Sequence, residues 1–216
     1  MYDLTDVLDF DELASVRPGT SLLVAGPAMT GKEQLAYDIL KDGLRSGDGA
    51  VVVTTNDPAA GVAEQFVSDV PDLAEGQLGV VDCRGEGDGE NPEGVYVHHV
   101  SSPGDLTGMG IALTEALDTL HRGGRQHGRL ALSSLSTMLT YTDKKTVFKF
   151  CHVMSSRLDT AEYMGVFTID SGAHDDQTLQ VIKQAFDGMI EIRESEGGRE
   201  ARVLGLGGGP TEWREL

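Results

Sequence analysis

The segment Gly26-Pro27-Ala28-Met29-Thr30-Gly31-Lys32 constrains this chain most, because of what flanks it. Before it, Ser21–Gly26 is almost wholly apolar, as a strand covered on both faces must be. After it, residues 32–44 set Leu35, Ile39 and Leu40 on one side of a helix, which Gly43 and Gly47 end. Strand, glycine-rich turn and helix in that order, with Lys directly after the second glycine, is the spacing of a phosphate-binding loop. Glycines let successive backbone N–H groups converge on an anion, and the helix adds its positive end. Lys32 sets a flexible positive charge beside the outer phosphates. Gly26, Pro27, Ala28, Met29, Thr30, Gly31, Lys32 and Glu33 are therefore the expected binding set, with Lys32 also the first candidate for catalysis.

Glu33 is the anomaly. A phosphate loop has Ser or Thr after the lysine, whose neutral hydroxyl binds Mg²⁺ while resting against the phosphates. A carboxylate can ligate Mg²⁺, yet it adds negative charge where the ligand is already anionic. Glu33 is thus either a changed metal ligand or a group that weakens binding.

The rest of the chain alternates strand and helix. Residues 50–55, 78–83, 95–100, 130–132 and 166–169 read as further strands, with His98 and His99 marking an edge. Helices are expected from the Asn56-Asp57-Pro58 cap to residue 69, over 106–120, over 143–161 and over 176–186. In the third of these, Val147, Cys151, Met154 and Leu158 form the buried stripe. Residues 189–193 and 202–206 close the chain as a hairpin. The reading is one α/β domain over 1–216, a mostly parallel sheet with helices on both faces and a C-terminal β-hairpin. Residues 85–94 form an acidic, glycine-rich loop and 207–216 a tail.

Charge excludes some functions. The 216 residues hold 35 acids and 17 Lys or Arg, a formal charge of −18 that repels nucleic acid and anionic membrane. Residues 1–108 carry 20 of the acids and only 5 of the bases. With Lys so scarce, such a balance suits a salt-rich cytoplasm, where screening shortens electrostatic reach to about 3 Å at 1 M salt. No stretch approaches the roughly 18 apolar residues of a membrane span, and the acidic amino terminus is no signal peptide. The expected location is cytoplasmic. Cys83 and Cys151 allow at most one disulfide and no zinc spacing.

In Gly26 to Lys32, residues 101–111, 132–137 and 174–177, and Asp187-Gly188 before the hairpin, the chain resembles the RecA-superfamily ATPases. More narrowly it is similar to the KaiC/RAD55-like group of salt-loving archaea. The resemblance spans nearly the whole chain and implies a RecA-like P-loop NTPase fold, an ATP or ADP ligand, and assembly with copies or relatives of itself. Moved over residue by residue, the family's roles partly fail. The apolar strand that should end in a metal-orienting Asp ends here in Ser133. The acids expected after the second strand are Asn56 and Asp57, of which only Asp57 could polarise water. At His174, with Gln177 as a second candidate, the family can place a polar group that senses or relays the outer phosphate; a histidine simply hydrogen-bonded in a turn is the equal alternative.

The resemblance with these departures implies a nucleotide-binding regulatory or scaffold protein with weak or absent hydrolysis and Mg²⁺ weakly held. Two alternatives stand beside it: an active Mg²⁺-dependent ATPase with Glu33 as an unusual metal ligand, and a nucleotide-free protein-interaction module. The basic island from His121 to Arg129 is a plain connection, a subunit contact or, least favoured, a polyanion site. A second basic set, Lys144, Lys145, Lys149, His152 and Arg157, is a solvated face or a contact for a partner's acidic half. Trp213 either latches onto the core or stacks on a base or partner.

Overall fold

The structure is a computed structural model that describes residues 1–85 and 93–216. Most of the acidic loop expected over 85–94 lies outside the described residues. The elements, in order, are β1 (Ser21–Gly26), α1 (Lys32–Arg45), β2 (Gly49–Thr54), α2 (Ala59–Asp69), β3 (Leu78–Asp82), β4 (Tyr96–His99), α3 (Leu106–Arg122) and β5 (Gly128–Ser133). There follow α4 (Leu135–Tyr141), α5 (Lys144–Ala161), β6 (Met164–Asp170), α6 (Asp176–Ile182), β7 (Gly188–Ser195), β8 (Gly198–Leu204) and β9 (Arg214–Glu215).

The nine strands form one sheet in the order β4-β3-β2-β5-β6-β1-β7-β8-β9. Every pairing from β4 across to β7 is parallel, and β7–β8 and β8–β9 are antiparallel. β4, with His98 and His99, is the edge strand that its histidines predict. Central strands are buried on both faces, which explains their unbroken apolar runs. Successive residues then serve opposite cores. Leu22 and Val24 face α1, α2 and an amino-terminal wrap that contributes Leu4, Phe10 and Leu13. Leu23 and Ala25 face the side carrying α3 to α6.

Some elements differ from the sequence reading. The hairpin strands extend further toward their turn than expected, and residues 183–185 tighten into a 3-10 turn where helix was expected to continue. α4 was not foreseen; Ser134 starts it, its side chain accepting from the Thr137 amide. The start of α2 is held from a distance. Pro58 makes no side-chain cap, and the Ala59 amide instead donates to Asp82 Oδ2 at the end of β3, 3.0 Å away. Asp82 is buried and also receives the Arg84 guanidinium at 3.0 Å.

The basic island divides by burial. Arg129 lies inside, donating to Ile39 O at 2.7 Å, Asp42 Oδ2 at 2.8 Å and Asp48 Oδ2 at 3.1 Å. It ties β5 to α1 and to the turn after it. Cys83 and Cys151 are buried and unpaired, and burial pushes both thiols up to about 12.

Burial alone would raise the Asp82 carboxyl, but hydrogen bonds from Arg84 and the Ala59 amide outweigh it and hold it below the usual carboxylate range. Asp82→Asn should cost about 1–3 kcal/mol at pH 7. A depressed folded-state value means that this stability is present above about pH 4 and fades as the pH falls through it. Thermal melts should therefore show a gap between parent and variant at pH 7 that closes in acid.

Candidate phosphate-binding site

The sheet topology puts the glycine-rich turn at a switch point. β1 lies between β6 and β7; its chain leaves over one face through α1, while β6 reaches β7 over the other through α6. Such a point opens a crevice at the carboxyl ends of the strands. β1 ends there at Gly26, paired with Asp170 of β6, and Gly26 O accepts from the Ser171 amide at 3.0 Å.

Within the turn, Thr30 Oγ1 donates to Pro27 O at 2.8 Å, and a Cβ on Gly26 would come within 2.7 Å of that hydroxyl. Gly31 adopts φ +81° and precedes α1, whose first turn has no side-chain cap. Its amides thus face the crevice with no side chain to satisfy them. Lys32 is 3% exposed; its Nζ donates to Pro27 O at 3.1 Å and lies 3.7 Å from Glu33 Oε1. Pro27, Ala28 and Met29 are exposed at the rim.

Arg199, which carried no sequence signal, reaches the same turn. From the start of β8 its Nη1 donates to Thr30 O at 3.0 Å, and its guanidinium fills the space a Cβ on Gly31 would need. Hairpin register alone brings it there.

The neighbouring strand ends are stitched together. Ser133 closes β5, is 1% exposed, and pairs with Thr54 of β2. Its carbonyl accepts from the Thr55 amide at 2.8 Å and from Thr55 Oγ1 at 3.0 Å. Asn56 Oδ1 accepts from Thr137 Oγ1 at 2.8 Å, which commits that side chain to α4. Asp57 is exposed, its backbone held by the Thr54 hydroxyl. His174 Nε2 lies 2.9 Å from Ser136 Oγ, which also accepts from the Asp170 amide at 2.8 Å. His174 thereby links the end of β6 to α4. Gln177 Oε1 accepts from Lys144 Nζ at 3.2 Å.

Tyr37 is the second residue that the sequence did not single out. It is 5% exposed, packs edge-on against Phe66 with ring centroids 5.3 Å apart, and its hydroxyl has no hydrogen-bond partner. Burial and then the negative charges of Asp57 and Glu33 push the phenol well above its usual value, against a smaller lowering by the nearby Ser133 side chain.

These residues do not fit the magnesium ion that the sequence resemblance implies. Mg²⁺ requires near-octahedral oxygen donors, usually anchored by one or two carboxylates. The strand that should supply the anchoring carboxylate ends in neutral Ser133, and Glu33, the acid next to the lysine, is drawn to Lys32. Among the described residues, no three His, Cys, Asp or Glu side chains converge as metal ligands.

Trp213 folds back on the hairpin, with the Arg193 guanidinium 4.0 Å and the Arg202 guanidinium 4.6 Å from its ring centre. It lines a cavity of about 380 Å³ with Leu23, Pro27, Leu179 and Met189. It rests on the arginines of the hairpin and belongs to neither apolar core, so the expected latch onto the core is not what forms.

A family model matches residues 19–192. The chain belongs to DUF7504, a family of unknown function. No curated protein sequence matches it. Among solved structures it resembles the KaiC-like protein PH0186 from the hyperthermophilic archaeon Pyrococcus horikoshii OT3, with a TM-score of 0.65 and 14% identity, over 94% of this chain and 84% of that one. The fold is RecA-like, as its motifs predict.

Gly31→Ala tests the geometry of the turn. A side chain at positive φ, pressed against Arg199, should cost about 1–3 kcal/mol by denaturant unfolding. The double variant Gly31→Ala/Arg199→Ala should recover part of that loss, because the two residues share one contact.

Proposed function

We propose that this protein binds ATP or ADP on the Gly26 to Lys32 turn and acts as a regulatory or scaffold protein with weak or absent hydrolysis. The observation that carries the reading is a buried lysine ammonium at the head of an uncapped helix, beside a strand that ends in Ser133 instead of a carboxylate. The first half of that arrangement holds phosphate. The second removes what turnover needs.

Binding uses Lys32, which exchanges or shares its contact with Pro27 O for a phosphate oxygen, and the amides of residues 28–33. Arg199 adds a second positive charge at the turn. Glu33 opposes both, since its carboxylate sits close to the Lys32 ammonium. Phosphoryl transfer is mostly positioning and charge stabilisation. Here the usual hydroxyl ligand is replaced by Glu33, the metal-orienting acid by Ser133, and the first of the two residues after β2 by Asn56. Asp57 remains the one acid able to polarise water, and it is exposed to solvent. His174, held on Ser136, is placed to pass a change at the end of β6 to α4. Each loss of transition-state charge stabilisation is worth about 2–4 kcal/mol, so together they suppress hydrolysis by several powers of ten.

The acidic surface and the scarcity of Lys suit a high-salt cytoplasm. Among the described residues no helix is long and apolar enough to cross a membrane. Head-to-tail association of copies or relatives is the favoured assembly, with the exposed Lys145, Lys149 and His152 face of α5 against an acidic first half.

Calorimetry in several-molar KCl tests the reading. The parent should bind ATP and ADP, and Lys32→Ala should lose the signal. ATP turnover by the parent should stay at the level of Lys32→Ala. Strong Mg²⁺-dependent turnover that Glu33→Gln destroys would instead establish an ATPase with Glu33 as metal ligand. Flat titrations at concentrations able to detect millimolar affinity would establish an interaction module without nucleotide. Melting temperature should also rise between about 0.1 M and about 3 M KCl as self-repulsion is screened.

A further inference from the structure

Tyr37 is one helical turn beyond Glu33, on the same face of α1. Helical side chains lean toward the helix amino terminus, so its phenol points back toward the phosphate turn. The charges of Asp57, beyond β2, and Glu33 raise its phenol, and the Ser133 side chain at the end of β5 lies close enough to oppose that rise. Ser133 and Glu33 stand at positions from which a phosphate-loop protein holds its metal, the metal-strand terminus and the residue after the lysine, and Asp57 stands where the water-polarising acid would be. The Tyr37 hydroxyl is therefore directed toward the place that a cation would take.

Packing does not explain that hydroxyl. The ring meets Phe66 edge to face, which Phe would do equally well. The hydroxyl is buried with no partner in full hydrogen-bond geometry, although the Ser133 side chain lies close enough to lower its pKa. An unpaired buried polar group destabilises the fold, so its place is accounted for by a partner that arrives later. The flanking acids do not act as that partner. A phosphate oxygen is an acceptor with no proton of its own, and it would enter from the side of the turn.

We propose that this site takes its nucleotide as a metal-free phosphate anion, with the Tyr37 hydroxyl donating a hydrogen bond to a phosphate oxygen in place of Mg²⁺. The inference rests on the nucleotide reading above and deepens it. The phenol is suited to the task because burial and the nearby acids keep it protonated, and so a donor, at neutral pH. It brings no charge, however, and cannot neutralise a phosphate as a cation does. That work falls to Lys32 and Arg199. A site built this way binds without promoting transfer, since a neutral donor stabilises developing charge far less than a divalent ion.

The test is calorimetry with ATP and with ADP in several-molar KCl, in MgCl₂ and in EDTA, on the parent, Tyr37→Phe and Lys32→Ala. The parent should show dissociation constants within about twofold of each other in the two media. Tyr37→Phe should bind roughly tenfold more weakly in EDTA, the scale of one hydrogen bond to a charged group. Without ligand, Tyr37→Phe should melt about 2–4 °C higher than the parent, because it no longer buries an unpaired hydroxyl. Tightening of the parent by Mg²⁺ tenfold or more, or unchanged affinity of Tyr37→Phe, would overturn the proposal while leaving nucleotide binding intact. The Mg²⁺ arm needs no variant, so it decides even where a substitution harms folding. No binding by the parent, or equal binding by Lys32→Ala, would overturn the nucleotide reading itself and the proposal with it.

Discussion

A lysine ammonium buried among backbone groups is the constraint on which the rest of the site depends. Lys32 is almost wholly removed from water, and among the described residues its charge is met only by the Pro27 carbonyl and, at longer range, by Glu33. Burying a cation with so little compensation is unfavourable unless an anion completes the shell. Thr30, Gly31 and Arg199 shape the turn around that ammonium rather than satisfy it. The helix that begins at Lys32 points its unmet amides the same way. Under the proposal of nucleotide binding, a phosphate completes that shell.

The sheet makes this arrangement possible. Because β1 is central and parallel to both neighbours, its carboxyl end is surrounded by the ends of other strands and not by solvent. α1 crosses toward β2 over β5 and β6, which carries Tyr37 to Ser133 and lets α2 cover its ring. The Arg129 cluster fixes the far end of α1 to β5, so the helix has little freedom to slide and its amino terminus stays aimed at the turn. Asp82 does for α2 what Arg129 does for α1.

What the sequence revealed was what short-range chemistry determines. β1 and α1 were legible because six apolar residues, a glycine turn and a helical apolar stripe are adjacent. His98 and His99 were legible as an edge because polar rings do not suit a strand buried on both sides. α4 was missed because Leu-Ser-Thr-Met-Leu-Thr-Tyr is short and rich in residues of weak helix propensity, and it depends on Ser134 and on packing against β6. Asn56 looked like the cap of α2, yet its side chain serves Thr137 and Asp82 caps from another strand. Tyr37 and Arg199 matter only through partners far along the chain, and no local pattern in α1 or β8 marks them. The site therefore divides in two: the glycine turn is local and readable, whereas what Tyr37 and Arg199 bring to it is tertiary.

A crystal structure of the protein grown with ATP and Mg²⁺ bears most directly on that division. The expected result is a triphosphate on the amides of the turn, with Lys32 Nζ on a phosphate oxygen, the Tyr37 hydroxyl within hydrogen-bond distance, and no octahedral metal between Glu33 and Ser133. A magnesium ion coordinated by Glu33, with Tyr37 displaced and Asp57 behind an in-line water, would contradict it.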